Sequence, residues 1–104
     1  ARVGSISDNR LGGWYAYRGA KAAQNMFMKT LSIELARRAR GIVCVALHPG
    51  TTRTDLSEPF RGSVPEDKLF SPERAAEQLL RVLDGLGSSE NGGFYAWNGE
   101  KIPW

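Results

Sequence analysis

The chain is poor in the residues from which metal centres and covalent cross-links are built. A single cysteine, Cys44, stands in 104 residues, which excludes an internal disulfide. Its apolar surroundings fit a reducing cytoplasm and a thiol packed as a small hydrophobe. A single histidine, His48, leaves a metal cluster or a Ser-His-Asp triad without enough partners, and beside Pro49 it is expected to shape a strand end. No run of about eighteen apolar residues occurs, so no membrane-crossing helix is expected. Neither an initiator methionine nor a signal-peptide layout opens the chain at Ala1, and that start reads as the interior of a longer protein. Repeats and low-complexity segments are missing as well. The net charge of +3 is dispersed except at Arg37, Arg38 and Arg40. Cations there complement a helix carboxyl end, and no aromatics interleave with them, so nucleic acid is not the expected partner.

What is present reads as alternating strands and helices. Residues 1–13, rich in Gly and Ser, suggest a strand end running into a loop. A long helix is expected from Tyr15 or Ala16 to about Arg40, with Gly41 as its stop. Ala20, Ala23, Phe27, Leu31 and Leu35, joined by Met28, form a wide apolar stripe, and Ala22, Met26 and Ile33 fall opposite. A helix apolar on two sides is expected to be covered on both. "IVCVALHPG" at 42–50, continuous, β-branched and closed by Pro-Gly, predicts a buried parallel strand. Residues 51–70 lack periodicity and predict a loop, functional or mobile at that length. Ser71 as N-cap and Pro72 at the first position then open a helix whose Ala76, Leu79, Leu80 and Leu83 share a face. Gly85 to Gly87 end it. "GGFYAWNGEKIPW" predicts a short strand, an Asn98-Gly99 turn and a tail, with Trp97 and Trp104 packing at the core or edge. Strands separated by helices argue for an α/β parallel sheet, and so few strands make only half of a doubly wound one.

Tyr17 and Lys21 are the candidates for chemistry. At i and i+4 they lie on one helix face, about 5 to 6 Å apart at Cβ. A free phenol titrates at about 10, and an ammonium beside it favours the phenolate, as proton exchange with an alcohol or carbonyl oxygen requires. Alone, the Tyr-x-x-x-Lys spacing is common. Its setting, in "GSISDNRLGGWYAYRGAKAAQNM" followed by "HPGTTRTDL" and "WNGEKIPW", resembles the short-chain dehydrogenase/reductase family, and within it the C-factor-like or sniffer-like carbonyl reductase branch. The resemblance covers the whole chain but only the carboxyl-terminal half of such an enzyme.

That resemblance implies a Rossmann-like doubly wound sheet, an oxidoreductase using NAD or NADP, and a small carbonyl or alcohol substrate. It implies that Tyr17 is the acid/base, and that Lys21 holds the nicotinamide ribose and acidifies the tyrosine. Pro49, Gly50 and Thr54 match the family's Pro-Gly-x-x-x-Thr stretch that fixes the nicotinamide, with Thr51 and Thr52 in the same turn. For the catalytic serine, Ser5 is preferred and Ser7 is the other candidate, whereas registering the strand on Gly4 puts the position on Ala1 and leaves neither. Ala20 stands where a serine often precedes the lysine. The resemblance also implies that the helix at 16–40 joins subunits of a homo-oligomer and that the 51–70 loop, with Phe60, covers the substrate. Trp14 and Tyr15 either pack beneath the loop or wall the substrate pocket. The glycine-rich strand-turn-helix unit that grips adenosine and pyrophosphate is not encoded, so the chain by itself is expected to be inactive. A noncatalytic interaction module built on the two-faced helix is the rival reading.

Overall fold

The computed structural model describes residues 1–104 apart from the side chain of Phe60, so its expected part in a lid lies outside the described residues. Two helices carry the architecture. Helix α1, Tyr15–Arg38, starts at Tyr15 as expected and ends two residues early, where Ala39 turns extended at φ −148° and Gly41 reverses the chain at φ +88°. Helix α2, Pro72–Asp84, opens as expected, with the Ser71 side chain accepting the Arg74 N–H at 3.2 Å and Pro72 where no amide is needed.

Strand β1, Ala46–His48, pairs in parallel with β4, Phe94–Ala96, in the register Ala46 with Phe94 and His48 with Ala96. The apolar run at 42–50 predicts burial throughout. Only three of its residues enter a ladder, and they are half-buried, because β4 lies along one edge and no described strand along the other. Upstream, Asn91 replaces the ladder. Its Oδ1 accepts the Cys44 N–H at 2.8 Å and its Nδ2 donates to Ser32 O at 3.1 Å, tying β1 to α1. After β4 the chain turns at Asn98-Gly99 and returns, Gly99 N–H bonding Ala96 O and Ile102 N–H bonding Phe94 O. Phe94, Ala96 and Ile102 form the core, flanked by Ala46, Trp97 and Trp104. The Trp104 ring stacks on Phe94 at 5.2 Å.

Two further segments depart from expectation. Residues 1–13 contain no strand end; Arg2–Gly4 is a 3-10 turn, closed by Gly4 N–H to Ala1 O and Ser5 N–H to Arg2 O. The 51–70 stretch is a strap rather than an irregular loop. Its ends pair in parallel as β2, Thr51–Thr52, and β3, Leu69–Phe70, and 3-10 turns at Asp55–Ser63 and Glu66–Lys68 fill the span.

Both helices also present faces other than those their periodicity suggests. On α1 the side chains packed inward are Asn25 and Ser32, with Ala22, Met28 and Leu35 half-buried, while Phe27 is 72% exposed. On α2, Ala75 is buried and Leu79 and Val82 half-buried, but Ala76, Leu80 and Leu83 face outward. The stripes exist, and nothing described covers them. Three buried polar atoms, Asn25 Nδ2, Thr52 Oγ1 and Gln78 Oε1, have no hydrogen-bond partner among the described residues.

Candidate active site

Tyr17 sits in the first turn of α1, and that turn is built unusually. Gly12, Gly13 and Trp14 are all left-handed, at φ +71°, +75° and +55°. The glycines adopt this freely, whereas Trp14 is a bulky residue there at a cost of about 1 to 2 kcal/mol. Arg18 offsets the cost. Its guanidinium donates to Gly13 O at 3.0 Å, Gly12 O at 3.3 Å and Val3 O at 3.2 Å, and its amide donates to Trp14 O. The Trp14 ring meets Tyr17 edge-on at 6.2 Å. Sequence reasoning passes over Arg18, although an arginine one residue past the tyrosine and five past a Gly-Gly pair is a recognisable clamp.

Lys21 lies on the same face as Tyr17. Its ammonium stands 5.6 Å from the centroid of the Tyr17 ring and donates to Gln24 Oε1 at 3.3 Å. Tyr17 is 44% exposed. Its face is thus open to a ligand, with a cation poised beside the phenol.

The second half of the site is the turn after β1. Gly50, at φ +77°, has no room for a side chain: a Cβ would stand 2.7 Å from the Phe70 ring and 3.0 Å from Trp97. Phe70 and Trp97 meet edge-on at 4.7 Å and form the floor on which Pro49-Gly50 rests. Thr51 and Thr52 are fixed by pairing with Leu69 and Phe70. Ser57 clasps the rest, its hydroxyl donating to Thr52 O and Thr54 O and accepting the Thr54 N–H at 3.2 Å. The Thr52 hydroxyl is buried and unpartnered, a polar group at this turn with bonding capacity to spare. The roles of Ser57, Phe70 and Trp97 escape sequence reasoning, since they depend on a strap closing over 16 residues.

The two halves approach through the amino terminus. His48 Nδ1 accepts the Arg2 N–H at 3.3 Å, and Gly4 abuts α1 so closely that a Cβ would lie 2.7 Å from Lys21 C. His48 is pushed down to about 4, chiefly by burial and further by Arg2, against an opposing effect of Asp8. Its imidazole is neutral at pH 7, with Nδ1 free to accept.

Ser5 and Ser7 are placed differently from Tyr17. Ser5 is 2% exposed, and its hydroxyl donates to Pro103 O and, at 3.2 Å, to Trp104 O while accepting the Asp8 N–H at 3.1 Å. Its bonding capacity is committed to the carboxyl-terminal tail. Ser7 is exposed and its amide bonds Trp104 O at 2.8 Å. Among the described residues one concavity of about 430 Å³ lies between α2 and the 97–99 turn and another of about 200 Å³ between residues 3–9 and the start of α1. Neither is lined by Tyr17, Lys21 or the 49–54 turn; Tyr17 is exposed, whereas Lys21 and residues 49–52 are half-buried.

Comparison with known proteins supplies the rest. The family described as short chain dehydrogenase matches residues 3–64. The C-signal protein of Myxococcus xanthus is 38% identical over 104 residues, covering 100% of this chain and 57% of its own length. The 1-hydroxy-2-glutathionyl-2-methyl-3-butene dehydrogenase of Rhodococcus sp. (strain AD45) is also 38% identical, with 100% and 44% covered. The chain therefore spans about half the length of these curated relatives. Among solved structures, the carbonyl reductase Sniffer of D. melanogaster superposes with a TM-score of 0.82 at 36% identity, covering 100% of this chain and 38% of that one. An NADPH-bound carbonyl reductase from chicken fatty liver gives 0.83 at 32% identity, with 100% and 40% covered.

Proposed function

The chain belongs to the short-chain dehydrogenase/reductase family of oxidoreductases, and on that premise we propose that it is the catalytic, carboxyl-terminal half of a Rossmann-like NAD(P)-dependent enzyme that interconverts a small carbonyl compound and its alcohol in the cytoplasm. The observation that carries this reading is the Lys21 ammonium 5.6 Å from the Tyr17 ring, on an exposed helix face. The open edge of β1, with no described strand beside it, supports a half-domain.

When bound, the nicotinamide supplies or accepts the hydride. Pro49, Gly50, Thr51, Thr52 and Thr54 would hold it, the spare Thr52 hydroxyl among them, with Lys21 and Tyr17 along the opposite side. As the carbonyl carbon gains the hydride, its oxygen gains an electron pair, and Tyr17 donates the phenolic proton to that oxygen. Lys21 offsets the negative charge left on the phenolate. In the alcohol-to-carbonyl direction the phenolate takes the hydroxyl proton. A preset turn and a preset helix face hold both partners of the transfer, and such positioning is itself a large part of catalysis. The Ser5 hydroxyl we assign to holding the tail.

The test is NADH and NADPH oxidation by the full-length protein against a panel of aldehydes and ketones. Turnover that falls at least about 100-fold in Tyr17→Phe supports the assignment, and undiminished turnover refutes it. The outward stripe of Ala20, Ala23, Phe27 and Leu31 favours a second role, in which α1 pairs with its counterpart in a homo-oligomer. That role is compatible with catalysis, and in a protein without turnover it would remain as a noncatalytic interaction module.

A further inference from the structure

We propose that the Arg2–Gly4 turn is a brace between the cofactor turn and the acid/base helix, with His48 and Arg18 as its two positioning residues; the proposal rests on the oxidoreductase reading above. Consecutive residues of the turn are held by opposite sides of the site. His48, the last residue of β1 and next to Pro49, accepts the Arg2 N–H. Arg18, next to Tyr17, donates to Val3 O at 3.2 Å. Gly4 then seats against Lys21 and Ala22 with no space for a methyl group, its missing Cβ lying 2.7 Å from Lys21 C and 2.9 Å from Ala22 N. Outside the turn, Arg2 spans Asp8 and Glu100, both at 3.7 Å, which keeps it from swinging away.

The physical consequence is a fixed distance between two surfaces that are each rigid by themselves. The 49–54 turn is held by the Thr51–Thr52 ladder and by Ser57, and the Tyr17–Lys21 pair by its own helix. Severing the brace at His48 leaves both binding surfaces intact and lets them drift apart, whereas severing it at Arg18 also loosens the Gly12-Gly13 entry to α1. Nucleotide binding then persists while hydride and proton transfer, which depend on alignment, decline. Neither His48 nor Arg18 touches a reacting atom in this scheme.

A double-mutant cycle in the full-length protein tests it. His48→Phe keeps the ring volume and removes the acceptor; Arg18→Lys keeps the charge and cannot reach three carbonyls at once. Each is expected to lower kcat about tenfold while the nucleotide KM stays within about twofold, as misplacement remote from the chemistry does. The double variant is expected to fall no further than Arg18→Lys alone, because once Arg18 has released Val3 and the Gly12-Gly13 entry the His48 contact carries no load. His48→Asn, whose Oδ1 can accept the Arg2 N–H, is expected to restore kcat to within about threefold of wild type. Hydrogen exchange of the 1–6 segment, read by mass spectrometry, gives a measure independent of activity. It should quicken alike in His48→Phe, Arg18→Lys and the double variant, and stay slow in His48→Asn. Unchanged kcat in His48→Phe, or losses that multiply in the double variant, overturns the brace and leaves the oxidoreductase reading standing. A wild-type protein without turnover overturns that reading instead, and the exchange data then decide the brace: quickening supports it and unchanged exchange overturns it.

Discussion

Replacing Ser5 by alanine separates a scaffold hydroxyl from a catalytic one. Ser5 is 2% exposed and serves three backbone groups: it donates to Pro103 O and Trp104 O and accepts from Asp8 N–H. Trp104 O keeps the Ser7 N–H at 2.8 Å, so the substitution strands two groups, Pro103 O and Asp8 N–H. A buried polar group left without a partner costs about 1 to 3 kcal/mol, and the part-buried setting favours the lower half of that range. The sum is about 3 kcal/mol. It falls on a tail that carries Ile102 into the core and Trp104 onto Phe94. A loss of that size raises the unfolded fraction roughly 100-fold and takes a large share of an ordinary domain's stability. The assay pairs urea unfolding of the full-length protein with turnover at saturating substrate. The expected result is a lowered midpoint at constant m-value and a kcat within about threefold of wild type. A kcat reduced about 1,000-fold with an unchanged midpoint would refute the reasoning, since it would make the Ser5 hydroxyl a direct donor to substrate.

Gly50→Ala meets both a left-handed φ of +77° and the Phe70 ring at 2.7 Å, so a loss of about 3 kcal/mol is expected together with weakened nucleotide binding in equilibrium titrations. His48 gives stability a defined acid slope. Unfolded, it takes up a proton as pH falls through 6.5, and folded it resists to about 4, so the folded state is fully favoured above 6.5 and loses ground between those values. That loss totals about 3 kcal/mol at most, and the difference between wild type and His48→Asn in urea titrations at pH 7.5 and 4.5 should isolate it. Phe27→Glu charges the centre of the outward stripe, and sedimentation should show a smaller assembly with kcat per folded chain retained; an unchanged assembly size places the subunit contact elsewhere.

Features that depend on residues a few positions apart are legible in the sequence itself. The Ser71 cap with Pro72, the Asn98-Gly99 turn and the placing of Tyr17 and Lys21 on one face all follow from local backbone geometry, and each is found as expected. Motif spacing likewise identifies the family, because Tyr-x-x-x-Lys followed by Pro-Gly-x-x-x-Thr is a pattern along the chain. Periodicity reveals that α1 and α2 have apolar stripes and is silent about what covers them. It therefore points to Phe27 and Leu80, whereas the described packing runs through Asn25, Ser32, Ala75 and Val82.

Tertiary contact decided the rest. Ser5 meets Pro103 across 98 positions, His48 meets Arg2 across 46 and Arg18 meets Val3 across 15. The burial of a hydroxyl, the pKa of an imidazole and the orientation of a turn are properties of neighbours rather than of residue types. The chain's local chemistry thus determined which side chains share a helix face and where helices and turns begin. Only the folded arrangement, by choosing each residue's distant partner, decided that Ser5 is buried against Pro103 and that Arg2 and Val3 meet His48 and Arg18.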